Sequence, residues 1–136
     1  VPGYFFDTSV LAKLYHGEIG SEKAEALAEA PDTRLIVSQL SLVEIQSVFA
    51  MKVRTGVIHQ TSLDQLRGLF FADLASGRFK VVLVSRRYFH SAERLIRLHA
   101  VKNALRTLDA LQLAVAIELH ERGIVSAIVA SDRNLG

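Results

Sequence analysis

Short runs of consecutive hydrophobic residues alternate along the chain with longer stretches in which apolar positions recur every three or four residues. Tyr4-Phe5-Phe6 is the first run and ends at Asp7; Thr8-Ser9 then offers N-cap hydroxyls for a helix through Val10, Leu11, Leu14 and Tyr15. Ser21 to Ala30 is rich in Ala and Glu, a helix-forming composition, and Pro31-Asp32 stops it before a second strand at Leu35-Ile36-Val37. Residues 40–55 predict a helix that is apolar over most of its circumference, hence buried on several sides, and closed at Gly56. Residues 61–75 predict a more amphipathic helix ending near Gly77, and Phe79 to Val84 a third strand. Residues 87–100 predict an amphipathic helix with Phe89, Ala92, Leu95, Ile96 and His99 on its apolar side. Thr107 to Arg122 predicts the most hydrophobic helix, closed by Gly123, and Ile124 to Ala130 the last strand. Near-continuous hydrophobic strands joined through helices are the pattern of a parallel sheet covered on both faces. The expected fold is therefore α/β, with three α/β/α layers around a short parallel central sheet.

Composition narrows the chemistry. A chain of 136 residues is the length of one domain, and it buries roughly 70% of its unfolded surface without help from disulfides or a structural metal. With no Cys there is no disulfide framework, no Cys-ligated metal and no thiol nucleophile, which suits a reducing cytoplasm. No run approaches the roughly 18 apolar residues of a membrane span. The segment from Val1 to Asp7 lacks the basic head and apolar run of a secretory signal, so a soluble cytoplasmic protein with no membrane partner is expected.

Net charge is +2, but it is unevenly spread. Residues 1–51 carry three Lys/Arg against seven Asp/Glu, residues 52–106 eleven against three, and residues 107–136 two against four. A basic middle third containing Arg78, Lys80, Arg86, Arg87, Arg94, Arg97, Lys102 and Arg106 supplies a field that attracts a polyanion, or else a set of solvated helix faces.

Four acids stand out by position. Asp7 and Asp132 each follow a predicted parallel strand, and ligands of open α/β sheets bind beyond the carboxyl ends of the strands. Glu44 lies one turn into an apolar helix among Leu40, Val48 and Met51, and Asp109 lies in the first turn of the most hydrophobic helix. Each alone has a structural reading. Asp109 suits a helix N-terminus, Asp7 and Asp132 suit caps or Asx-turns, and Glu44 suits a pair with Arg54 or another distant Arg. Together, four converging carboxylates repel one another unless a cation sits among them, and all-oxygen ligation suits Mg²⁺ or Mn²⁺. Such a centre activates water and stabilises charge on phosphoryl oxygens.

Phe6-Asp7-Thr8-Ser9-Val10-Leu11, Glu44 after Ser41-Leu42-Val43, Leu108-Asp109-Ala110-Leu111-Gln112-Leu113-Ala114 and Ser131-Asp132-Arg133-Asn134-Leu135 together resemble the PIN-domain ribonucleases, and among them the VapC-type toxins of toxin–antitoxin pairs. The resemblance spans essentially the whole chain. It implies a PIN-like fold and a metal-dependent endoribonuclease with Asp7, Glu44, Asp109 and Asp132 around Mg²⁺ or Mn²⁺. Thr8 and Ser9 match hydroxyl positions that help position the first Asp, a metal-bound water or phosphate. It further implies structured RNA of the transfer or ribosomal class as substrate, a homodimer, and an antitoxin protein that occludes the site. Lys13, Lys52 and Arg86 are the candidates for phosphate contacts.

The pattern also departs from the family. Gln112 stands where the family often has His, and Ala130 stands where it often has Ser or Thr, with Ser131 adjacent as the supporting hydroxyl. The family usually continues through another helix and strand after the fourth acid, so the domain spanning residues 1–136 is expected to lack them.

Other phosphate chemistries fit less well. A haloacid-dehalogenase-type phosphatase needs a second acid at the position of Ser9, a phospho-receiver needs an Asp where Val84-Ser85-Arg86 stands, and no glycine-rich phosphate loop occurs. The non-enzymatic alternative is a catalytically silent PIN-like module that binds protein or RNA. The five His show no close metal-ligand spacing, and His99 and His120 read as helix-surface or packing residues.

Overall fold

Strand-borne side chains alternate between two hydrophobic cores, one on each face of a single four-stranded parallel sheet. The computed structural model describes residues 2–17 and 21–130. Its elements are β1 (Gly3–Phe6), α1 (Thr8–Lys13), α2 (Ser21–Glu29), β2 (Arg34–Ser38), α3 (Gln39–Arg54), α4 (Gln60–Ala75), β3 (Phe79–Val82), α5 (Arg86–His99), α6 (Thr107–Glu121) and β4 (Ala127–Val129). Phe6, Leu35, Val37 and Phe79 enter a core with α1 to α4, whereas Phe5 and Ile36 face α5 and α6. The period of two along β1 and β2 thus assigns each residue to its layer. The three-layer α/β/α fold is as expected.

Sheet order is β3-β2-β1-β4, all parallel. From β1 the chain moves outward to β2 and β3 with its crossover helices on one face, then returns past β1 to β4 with α5 and α6 on the other. Right-handed crossovers require this, because reversing the direction of travel moves the helices to the opposite face. The reversal leaves a crevice beyond the carboxyl ends of β1 and β4, where Asp7 N donates to Val129 O at 3.1 Å. At the opposite end of this strand pair, Ser126 N donates to Gly3 O at 2.7 Å. A Cβ at Gly3 would run into the Ile124 carbonyl oxygen, so this close approach needs glycine.

Several boundaries and faces differ from the pattern reading. β3 ends at Val82 and β4 begins only at Ala127, because the flanking hydrophobics leave the ladder. α3 is not buried on several sides: Ser41, Ile45, Phe49 and Lys52 form its buried line, while Val43 is 71% and Met51 45% exposed. The helix packs against α1, α4 and β2, and the apolar residues on its remaining face stay in water. On α5, Tyr88 and Ala92 are the buried residues, while Phe89 and His99 are exposed. Among the described residues no helix is long and apolar enough to cross a membrane.

Candidate functional site

Asp7 directly follows β1 and caps α1: its Oδ1 accepts from Val10 N at 3.0 Å, and the residue is buried. Extended backbone at Asp7 lets the carboxylate turn back over the first helical turn, the geometry of an N-cap. The next side chain, Thr8, is also buried and reaches α3, where Oγ1 donates to Glu44 Oε1 at 2.8 Å and lies 3.0 Å from Ser41 Oγ. Ser9 faces solvent and stays outside these contacts.

Gln112 joins the network from α6. It is 5% exposed, and Nε2 lies 2.7 Å from Glu44 Oε1, 2.9 Å from Ser41 Oγ and 3.3 Å from Thr8 Oγ1. Its Oε1 accepts from Ser38 Oγ at 2.8 Å, and Ser38 is fully buried at the end of β2. Four elements on both sides of the sheet therefore meet through one amide. Among the described residues Glu44 is held by a hydroxyl and an amide, and not by Arg54 or another arginine.

Asp109 sits at the third position of α6. Its Oδ2 accepts from Arg106 N at 3.4 Å and pairs with the Arg106 guanidinium at 3.7 Å, so the helix-terminus role is real. The guanidinium is largely in water, with 83% of the side chain exposed, which makes the pair weak. Glu44 and Asp109 line one open cleft of about 610 Å³ together with Ile96, Leu105, Arg106, Thr107 and Leu108. Asp7 is linked to Glu44 through its neighbour Thr8. Ser131 and Asp132 lie outside the described residues.

The donor set is carboxylate and hydroxyl oxygen without sulfur or imidazole, chemistry that fits a hard divalent cation such as Mg²⁺ or Mn²⁺. Among the described residues, no three His, Cys, Asp or Glu side chains stand close enough to form a ligand group on their own. Of the phosphate candidates, Arg86 is exposed and Lys13 half-buried, while Lys52 is only 7% exposed and so is not presented to a phosphate.

Ser38, Ser41 and Gln112 were not singled out as site residues from the sequence. A signal was present: a glutamine inside Leu111-Gln112-Leu113 on a helix that must be buried has to find hydrogen-bond partners. Which partners it finds depends on residues 71 and 74 positions away, and helical periodicity does not report that.

Comparison with known proteins adds a family and a fold. The family model described as "PIN domain" matches residues 4–135. No curated protein matches the chain. The solved structure of Mycobacterium tuberculosis VapC20, described as a sarcin–ricin loop cleaving toxin, is similar with a TM-score of 0.67 and 21% identity, covering 96% of this chain and 91% of that one. A toxin–antitoxin complex from Klebsiella pneumoniae is similar with a TM-score of 0.56 and 19% identity, covering 98% and 90%. VapBC2 from Rickettsia felis, bound to a DNA fragment from its promoter, is similar with a TM-score of 0.60 and 14% identity, covering 96% and 99%. At these identities the likeness to the solved structures is one of fold.

Proposed function

The chain belongs to the PIN domain family, and from that premise we propose that it is a divalent-metal-dependent endoribonuclease, the toxin of a toxin–antitoxin pair. The observation that carries this reading is the cleft that Glu44 and Asp109 share, with Asp7 joined to Glu44 through Thr8 at the carboxyl end of β1. Asp7, Glu44, Asp109 and Asp132 would hold Mg²⁺ or Mn²⁺. Bound there, the cation supplies activation of water and stabilisation of charge on the phosphoryl oxygens.

The protein's own part is to hold the carboxylates in place. Thr8 and Gln112 hold Glu44, while Asp7 and Asp109 are oriented by the helix N-termini they cap. Thr8 acts on Glu44, and Ser9 and Ser131 remain supporting hydroxyls of the proposal. Arg86 and Lys13 are the proposed phosphate contacts.

The sarcin–ricin loop named for VapC20 makes structured ribosomal RNA the first substrate to try, with transfer RNA beside it. The complexes among the structural neighbours support an antitoxin protein as partner. A homodimer in the cytoplasm completes the reading.

The test is Mn²⁺ calorimetry on the wild type, Asp7→Asn and Asp109→Asn, with cleavage of a structured RNA pool followed on the same samples with and without chelator. Binding and cleavage should vanish together in both variants and on chelation. A folded wild type that neither binds Mn²⁺ nor cuts RNA would leave the silent binding module as the better account.

A further inference from the structure

Glu44 stands out because its two oxygens are treated differently. Oε1 takes donors from both Thr8 and Gln112, whereas Oε2 takes none among the described residues. We infer that Gln112 is a positioning residue: with Thr8 it holds Glu44 Oε1 so that Oε2 is the oxygen offered to a cation in the cleft. The cation half of this inference rests on the proposed function; the hold of Gln112 on Glu44 does not.

Proton bookkeeping supports a single arrangement. A carboxylate only accepts, so the nitrogen of the Gln112 amide must face Glu44, and its oxygen then faces Ser38. Ser38 must donate to that oxygen. The two amide protons go to the nearest acceptors, Glu44 Oε1 at 2.7 Å and Ser41 Oγ at 2.9 Å, leaving the 3.3 Å approach to Thr8 as the long contact. Thr8 has one hydroxyl proton and spends it on Glu44 at 2.8 Å, so the 3.0 Å contact between Thr8 and Ser41 must be donated by Ser41. Each hydroxyl and amide proton then has one destination, and two of them end on Oε1.

The consequence is orientational. Glu44 is a long, half-exposed side chain on a helix and would otherwise sample several rotamers. Two donors from α1 and α6, on opposite faces of the sheet, fix one end of its carboxylate. Oε2 keeps its acceptor capacity unspent on a residue that lines the cleft with Asp109. Partners of this kind, hydrogen-bonded to a metal ligand, typically change metal affinity or activity about 10–100-fold when removed.

The test has two parts. A double-mutant cycle compares urea midpoints of the wild type, Gln112→Met, Glu44→Ala and the double variant. Gln112→Met should lower the midpoint more when Glu44 is present than in the Glu44→Ala background; strictly additive shifts would overturn the contact itself. If Gln112→Met does not fold, Gln112→Asn, which draws the amide back by one methylene, takes its place in the cycle.

Calorimetry with Mn²⁺ then reads the cation half. Affinity should fall about 10–100-fold in Gln112→Met, and Gln112→His, which restores a ring N–H donor, should recover part of the loss. Coupling without any change in Mn²⁺ affinity would overturn the positioning role and leave Gln112 a core residue. A wild type that binds no Mn²⁺ would remove the proposed function and the cation half together, while the cycle would still decide whether Gln112 holds Glu44.

Discussion

Ser38 Oγ donates to Gln112 Oε1 at 2.8 Å, tying the end of β2 to the middle of α6 across 74 positions of sequence. Ser38 is fully buried, so no water replaces it readily. Ser38→Ala leaves the Gln112 carbonyl oxygen without its donor, and a buried unsatisfied acceptor costs about 1–3 kcal/mol. Urea denaturation should show a loss of that size at unchanged slope. An unchanged midpoint would mean that the oxygen is satisfied some other way.

Asp7 serves two roles that one pair of variants separates. As N-cap of α1 it accepts from Val10 N at 3.0 Å, and Asn caps almost as well as Asp whereas Ala does not. Asp7→Ala should therefore cost about 1 kcal/mol of stability and Asp7→Asn only a few tenths. Both should lose Mn²⁺ binding in calorimetry. Wild-type Mn²⁺ affinity in Asp7→Asn would reduce Asp7 to its cap.

Most of this fold was legible because the pattern that encodes it is local. The Tyr4-Phe5-Phe6 run followed by Asp7 and Thr8 carries a strand, a cap and a helix start within a few residues, and the structure has all three, although the N-cap is Asp7 and not the hydroxyls of Thr8 and Ser9, which already belong to the helix. Burial of α3 was overestimated, since Val43 and Met51 count as hydrophobic wherever they point. The acids were visible as positions, but their partners were not: the structural alternative for Glu44 is a pair with an arginine, and among the described residues its partners are Thr8 and Gln112. Such contacts depend on how α1, α3 and α6 converge, which a one-dimensional pattern does not contain.

Tyr15 provides a pH-dependent test of packing remote from the cleft. Burial, and then its 2.6 Å hydrogen bond to Asp73 Oδ2, push its phenol well above the usual value near 10, and its ring stands edge-on to Phe49 and Phe70. Arg78 shares the same carboxylate oxygen at 2.8 Å. Because the folded state raises this pKa, it favours the neutral phenol. The resulting stability is fully present below about pH 10 and is lost as pH rises above it toward the folded value. Tyr15→Phe should lower stability at neutral pH and flatten its decline above about pH 10. Urea midpoints at neutral and alkaline pH check this; parallel decline in both proteins would remove Tyr15 from the account.

The basic middle segment divides into cations that face a carboxylate and cations that face none among the described residues, and the second group, whose charge is not already offset by a neighbouring carboxylate, is the first to test against the proposed RNA. Arg78, Arg87, Arg97 and Arg106 are engaged with Asp73, Glu118, Glu93 and Asp109, whereas exposed Lys80, Arg86, Arg94 and Lys102 make no ion pair among the described residues. A side chain that neutralises a phosphate releases a condensed counterion and steepens the salt dependence of binding by about 0.7–0.9 in log–log slope. Arg86→Ala should lower the slope by about that amount. Arg97→Ala should not, because both of its guanidinium bonds already go to the Glu93 carboxylate, at 2.7 and 3.1 Å. Fluorescence anisotropy on a structured RNA, with chelator present to prevent cleavage, measures both slopes. Equal slopes for Arg86→Ala and wild type would exclude Arg86 from the RNA contact and direct the search to Lys80, Arg94 and Lys102.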